Sequence, residues 1–305
     1  MTHEIFFAAS SIEKYASSVV PEEERKWLEA KRQQWPPKQF PTLPLPIFVL
    51  NLPKSGTQSI FDYFAKCGTG KHWIAHYWIQ RFHSKVGRCL ADNVWADRPM
   101  AQGCGEAKLS GYAMYTDSGL MWSEETINNT TTTAFAQPKK KKSTRRCFFP
   151  GVHGLENIAR YYPNATILHF PRNSTQWVES SSHWNHLLDR YDTFCGGFPE
   201  VQHHGSGSTT SGGSPGVYEP KSSPTTHAEW ASFYEQYTQR IRDFAKQHPS
   251  LTYLESPLED MEGTAKFLQE RTGISASCYT HSHVNKKRRK QQGDENETAV
   301  TETTG

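Results

Sequence analysis

Hydrophobic and polar positions follow two periods along this chain. Residues 46–52 hold a nearly continuous apolar run (Ile47, Phe48, Val49, Leu50, Leu52), the pattern of a strand buried on both faces. A tight turn, Pro53-Lys54-Ser55-Gly56-Thr57, follows. Ile60, Phe61 and Phe64 then recur at helical spacing. A second strand–loop–helix unit is expected where Ala165–Phe170 runs through Pro171-Arg172-Asn173 towards Trp177 and Val178. Leu155–Tyr162 reads as the helix that feeds this strand and stops at Pro163. The helix carrying Ser180 is expected to continue through Trp184, Leu187 and Leu188, which give it an apolar face. Further on, Trp230, Phe233, Tyr234, Tyr237, Ile241 and Phe244 line one side of an amphipathic helix. His248–Glu255 reads as a core strand and Thr264–Arg271 as a helix closed by Gly273. Strands alternating with helices predict an α/β fold of three layers, a central, mainly parallel sheet flanked by helices.

Between these elements the periodicity fades. Residues 1–45 read as an N-terminal surface arm: a polar helical stretch after Pro21, then prolines 36, 37, 41 and 44, which forbid regular structure. The span 80–125 is rich in aromatics and short of clean periodicity, as expected of a substrate wall over the end of a sheet. Thr- and Lys-rich residues 126–146 and Gly/Ser/Thr/Pro-rich residues 196–226 read as flexible insertions. Cys147-Phe148-Phe149-Pro150-Gly151 reads as a loop. One domain is expected over 46–285, with 286–305 a basic and then disordered tail.

Composition narrows the picture modestly. The chain has 305 residues, enough for one sizeable α/β core, and a net charge of +3 that gives no general affinity for nucleic acid. No run of about 18 apolar residues encodes a membrane span. The start, with Glu4 and no basic residue before Ile5, lacks the form of a signal peptide. Six cysteines permit 15 disulfide pairings, and sequons begin at Asn128, Asn129, Asn164, Asn173 and Asn296. The chain as written is expected in the cytoplasm; a missing N-terminal anchor would place it in the Golgi lumen instead.

The turn after the first strand brings in chemistry. A strand passing through a Gly-containing loop into a helix offers backbone N–H groups and the positive end of a helix dipole, a ready phosphate site. A strand–turn–helix with no ligand has the same apolar pattern. In the common nucleotide loop, Gly-Lys is followed by the hydroxyl that holds Mg²⁺; here Lys54 precedes Gly56. The order argues against a kinase or GTPase. It resembles the 5′-phosphosulfate loop of sulfotransferases, P-K-[SAT]-G-T-[ST], with Gln58 where Ser or Thr is usual. Arg172 and Ser180, eight positions apart, match the 3′-phosphate motif of the same family. An Arg fork suits a phosphate dianion and Ser adds a neutral donor.

The resemblance implies a P-loop NTPase-like fold and an enzyme that moves the sulfuryl group of PAPS (3′-phosphoadenosine-5′-phosphosulfate) to an acceptor hydroxyl without a metal. Lys54 would face the bridging oxygen. Ser55, Gly56, Thr57, Gln58 and Ser59 would hold the 5′-phosphate and sulfate, and Arg172 with Ser180 the 3′-phosphate. A proton acceptor is also required. His72 is the first candidate, with His76, Glu106 and Asp117 competing. The layout is also similar to sulfotransferase-like proteins of diatoms and other algae and to Golgi carbohydrate sulfotransferases, which implies a carbohydrate hydroxyl. Trp73, Tyr77, Trp78 and Tyr112 could line its pocket. The basic run Lys286–Lys290 could return over the 3′-phosphate or remain a solvated tail. Cys278 with His281 and His283 lacks a second pair at zinc spacing. The alternatives are a PAPS- or nucleotide-binding P-loop protein without turnover and, further off, an NTP-dependent kinase or GTPase.

Overall fold

Five short strands lie parallel at the centre of the molecule. A computed structural model describes residues 43–68, 74–76, 78–79, 84–104, 114–125, 143–197 and 223–280. In chain order, β1 (Ile47–Val49) leads into α1 (Thr57–Cys67), β2 (Ile74–His76), β3 (Trp78–Ile79), β4 (Ser84–Lys85) and α2 (Val86–Trp95). Then come β5 (Met114–Thr116), β6 (Leu120–Glu125), β7 (Ser143–Phe148), α3 (Pro150–His153), α4 (Leu155–Tyr161) and β8 (Thr166–His169). The chain continues through α5 (Ser174–Ser182), α6 (Leu187–Cys195), α7 (His227–Gln247), β9 (Thr252–Glu255), α8 (Met261–Thr272) and a 3₁₀ turn at Ala276–Cys278. The main sheet has the order β4-β3-β2-β5-β1-β8-β9, with β2, β5, β1, β8 and β9 parallel and β3 and β4 antiparallel at one edge.

Alternation along each strand sends side chains to two cores. Phe48, Ala75, Tyr115 and Ile167 pack on one side with Leu90 of α2, Ile158 of α4, Trp177 of α5 and Trp230, Tyr237 and Ile241 of α7. Ile47, Val49, Ile74, Met114 and Leu168 pack on the other with Ile60, Tyr63 and Phe64 of α1 and Leu268 of α8. Helices on both faces of a parallel sheet make the three-layer α/β architecture expected from the sequence. Three disulfides tie it together: Cys67–Cys278, Cys89–Cys104 and Cys147–Cys195.

Four sequence expectations need correction. Cys147 and Phe148 are strand, not loop, and Ser143–Arg146 belong to that strand rather than to an insertion. Pairing with β6 holds this polar segment in place, and Arg146 lies over the Trp95 ring. Basic composition concealed a strand whose partner lies across a long connection. The second insertion is likewise narrower. Gly196 closes α6 in the left-handed conformation, and Thr226 opens α7 with a capping box to Glu229. The span 80–125 contains a regular helix, α2, fastened through Cys89–Cys104. Finally, the helix bearing Ser180 stops at Ser182: Asn185 and His186 are left-handed (φ 49° and 51°), and α6 starts anew at Leu187. The expected arm at 1–45, except 43–45, and the tail from 281 on lie outside the described residues, as do 126–142 and 198–222.

Candidate active site

The loop after β1 is held by its oxygens. The Leu50 carbonyl accepts from the Tyr237 hydroxyl (3.0 Å), and that of Leu52 from the Ser55 amide (3.2 Å). Pro53 accepts from the Trp177 indole (2.9 Å), Lys54 from an Arg172 guanidinium N–H (3.0 Å) and Ser55 from the Asn51 side-chain amide (2.6 Å). The Gly56 carbonyl takes the Ile60 amide (3.1 Å) in the first turn of α1. With the carbonyls turned into the protein, the loop presents its N–H side at the start of an 11-residue helix that no side chain caps. Lys54 (φ 71°) and Gly56 (φ 73°) are left-handed on either side of Ser55, a backbone form that gathers N–H groups into an anion cradle. For Lys54 this conformation costs on the order of 1–2 kcal/mol. The buried hydrogen bonds on both sides of it hold it there.

Arg172 follows β8, the strand beside β1, so the two expected phosphate elements meet at one edge of the sheet. Its guanidinium bonds the Lys54 carbonyl and lies 4.0 Å from Glu259, which also accepts from the Asn173 amide (2.7 Å). One more contact joins the elements. The Tyr234 hydroxyl of α7 accepts from the Arg172 amide (3.0 Å) and shares a hydrogen bond with Ser55 Oγ (3.0 Å). Burial raises the Tyr234 hydroxyl above its ordinary pKa, so it stays protonated and can donate. Ser180 is half-buried on α5. Thr57 and Ser59 are buried in the first turn of α1, while Gln58 turns its amide to Asp62 (3.0 Å) along the helix surface. The unusual residue of the loop thus serves the helix. Gly56 faces Leu258: a Cβ there would lie 2.4 Å from Cδ1.

The reactive face of the loop is electrostatically coupled. Burial, and then the Arg172 charge, lower the Lys54 amine below its ordinary pKa, while Asp117 pulls it back up. Asp117 stands just after β5, left-handed at φ 47°. Burial raises its carboxyl pKa, with His76 and Lys54 opposing. His76 Nε2 lies 3.8 Å from Asp117 Oδ2. On the solvent side the Lys54 ammonium sits 5.2 Å from the ring centroid of Trp184, an exposed indole in the turn that ends α5. His72, the first candidate for the proton acceptor, lies outside the described residues, as do Glu106, Trp73, Tyr77 and Tyr112.

Sequence reasoning missed the residues that position the loop: Asn51, Trp177, Tyr234 and Tyr237. Asn51 had a signal, a lone amide in an apolar strand; its Oδ1 also accepts from the Phe170 amide, and this links the ends of β1 and β8. The two tyrosines had only the ambiguous signal of polar tips on an apolar helix face. Among the described residues no group of three or more His, Cys, Asp or Glu is placed to hold a metal ion, and Cys278 is taken by its disulfide. No described helix is long and apolar enough to cross a membrane. The sulfotransferase-domain family model matches residues 46–270. No curated protein and no solved structure matches the chain.

Proposed function

The chain belongs to the sulfotransferase family, and we propose that it transfers the sulfuryl group of PAPS to a hydroxyl of a carbohydrate. The observation that carries the donor is the direct bond from Arg172 to the Lys54 carbonyl. It places a guanidinium with further N–H donors next to an N–H-lined loop, a match for a ligand with phosphates at two ends. In this reading the amides of residues 56–59 hold the 5′-phosphosulfate, and Arg172 and Ser180 hold the 3′-phosphate. Lys54 stabilises the charge that grows on the bridging oxygen. Catalysis then rests on alignment for in-line displacement, as in phosphoryl transfer. Trp184 beside Lys54 supports a sugar acceptor, since an exposed indole face packs on the apolar face of a pyranose.

Calorimetric titration with PAP, the desulfated product, against ATP–Mg²⁺ tests the donor. Tight PAP binding, weak ATP binding, and loss of PAP binding in Lys54→Ala and Arg172→Ala are expected. Preference for ATP–Mg²⁺ would move the chain to NTP chemistry, and binding of neither would remove the enzyme reading.

We propose in addition that the protein works in an oxidising compartment such as the Golgi lumen. All six cysteines are paired, and such pairing persists outside the reducing cytosol. Asn164 is exposed just before β8, at the sheet edge opposite the loop, where a glycan leaves the site clear.

A further inference from the structure

β2 and β5 run parallel with His76 beside Thr116, so the residue after Thr116 emerges level with the end of β2. β5 also borders β1, with Ile47 beside Met114. Asp117 therefore leaves the sheet between His76 on one side and the Lys54 loop on the other. Its left-handed backbone (φ 47°) is uncommon for a residue with a Cβ, and Asp and Asn are among those that tolerate it. The strain sits at the edge where the proposed cofactor loop lies, as strain at functional positions often does. His76 Nε2 faces Asp117 Oδ2 at 3.8 Å, its ring lies against Phe61 of α1 (4.9 Å), and both side chains are mostly shielded from solvent.

We infer that Asp117 is the catalytic residue that takes the acceptor's proton, with His76 as the positioning residue behind it. The inference rests on the sulfotransferase reading above. The imidazole nitrogen that could compete for the proton lies 3.8 Å from Asp117, whereas Asp117 couples to Lys54 as well as to the imidazole. In the transfer, a lone pair of the acceptor oxygen forms the new O–S bond. The S–O bond to the 5′-phosphate of PAPS breaks, and its electron pair leaves on the phosphate oxygen facing Lys54. The acceptor proton passes to an Asp117 carboxylate oxygen and from there to water, leaving a sulfate ester and PAP.

Burial opposes the charged carboxylate, and His76 from β2 and Lys54 from the loop after β1 favour it, while the Asp117 charge in turn helps to keep the buried Tyr191 hydroxyl of α6 protonated. Desolvation outweighs the two cations, so the carboxyl is more basic than an ordinary aspartate. A base must be ionised to act. Activity is therefore present above the raised pKa and is lost as pH falls through it.

The test compares the full chain with Asp117→Asn and His76→Gln. Three readouts are used: PAP titration, sulfate transfer from PAPS to a mixed panel of neutral and uronate-containing oligosaccharides, and protein-dependent PAPS hydrolysis, in which water is the acceptor. Asp117→Asn should lower kcat roughly 10²–10⁴-fold, keep PAP affinity within a few-fold and lose the acid limb of the pH profile. Its melting temperature should equal or exceed the wild type's, because a carboxylate that is costly to ionise has been removed and Asn tolerates the same backbone. His76→Gln should retain part of kcat with the acid limb moved to higher pH, since a cation that favours the carboxylate is gone. Asp117→Asn turnover within a few-fold of wild type, or a defect confined to PAP affinity, would overturn the assignment. A wild-type chain that binds PAP yet accelerates neither reaction would overturn it too and leave the cofactor site standing. Failure of the wild type to bind PAP would instead remove the donor reading beneath it.

Discussion

Tyr234→Phe removes one oxygen and leaves the aromatic frame intact. The ring stacks on Trp177 at 4.6 Å and is almost wholly buried, so the change opens no cavity. What it deletes is the bridge between the two halves of the proposed cofactor site. The Arg172 amide loses its acceptor at 3.0 Å and the fully buried Ser55 Oγ loses its partner at 3.0 Å. Each lost bond costs about 1–1.5 kcal/mol, together about 2–3 kcal/mol, with Ser55 Oγ fully buried and the Arg172 amide partly so. At about 2–4 °C per kcal/mol, the melting temperature should fall by roughly 4–12 °C. PAP affinity should drop about tenfold, because the loop and Arg172 must then be ordered by the ligand. Thermal unfolding and PAP calorimetry read both effects. A double-mutant cycle with Ser55→Ala should return a coupling of about 1 kcal/mol. A melting temperature within about 1 °C of wild type, with unchanged PAP affinity, would refute the claim that this hydroxyl positions the loop.

Gly56→Ala places a methyl group against Leu258 Cδ1 at a left-handed position (φ 73°), and the amide of Leu258 is fixed to the Pro171 carbonyl at 2.9 Å. A loss of about 2–3 kcal/mol is expected in denaturant titration, and adding Leu258→Ala should recover the contact part but not the backbone part. Native protein should show no titratable thiol, and Cys67→Ser/Cys278→Ser, which opens a loop of 211 residues, should destabilise the fold by up to about 5 kcal/mol. Burial lowers the His153 pKa to about 4, with its Nδ1 accepting from the Phe149 amide at 2.9 Å. A depressed folded pKa means stability that is complete above the unfolded value near 6.5 and declines towards pH 4, by at most about 3 kcal/mol. His153→Asn should flatten that part of the stability–pH curve.

The fold was legible wherever one segment carries its own pattern. The apolar run at 47–52, the helix from Leu155 stopped before Pro163, the aromatic stripe of α7 and the glycine that closes α8 each declare themselves within a few residues. Where the deciding partner is remote, the pattern misleads. β7 is polar because its two-stranded sheet buries only part of it, and the residues that hold it, β6 and Cys195, are supplied by distant segments. The break after Ser182 lies in two left-handed residues, Asn185 and His186, neither of them a glycine or a proline. Periodicity therefore ran straight across it and took Trp184 for a core residue.

The candidate site divides along the same line. Lys54, Gly56 and Arg172 could be named from spacing because a phosphate loop is a local object, one strand end and one helix start. Its rigidity is not local. The carbonyls of Leu50 and residues 52–55 are held by Tyr237, Trp177, Arg172 and Asn51 as well as by Ser55 within the turn, so much of the cradle's shape is set by side chains more than a hundred positions away. Lys54 shows why this matters. A left-handed lysine is unfavourable alone, and only donors fixed elsewhere in the fold keep its carbonyl turned inward and its amine at the mouth of the site. The Asp117 carboxylate depends on the same arrangement, since it couples to that amine from a strand, β5, that enters the sheet between β2 and β1. Strand order, which no window of sequence contains, thus decides which acidic residue meets the lysine.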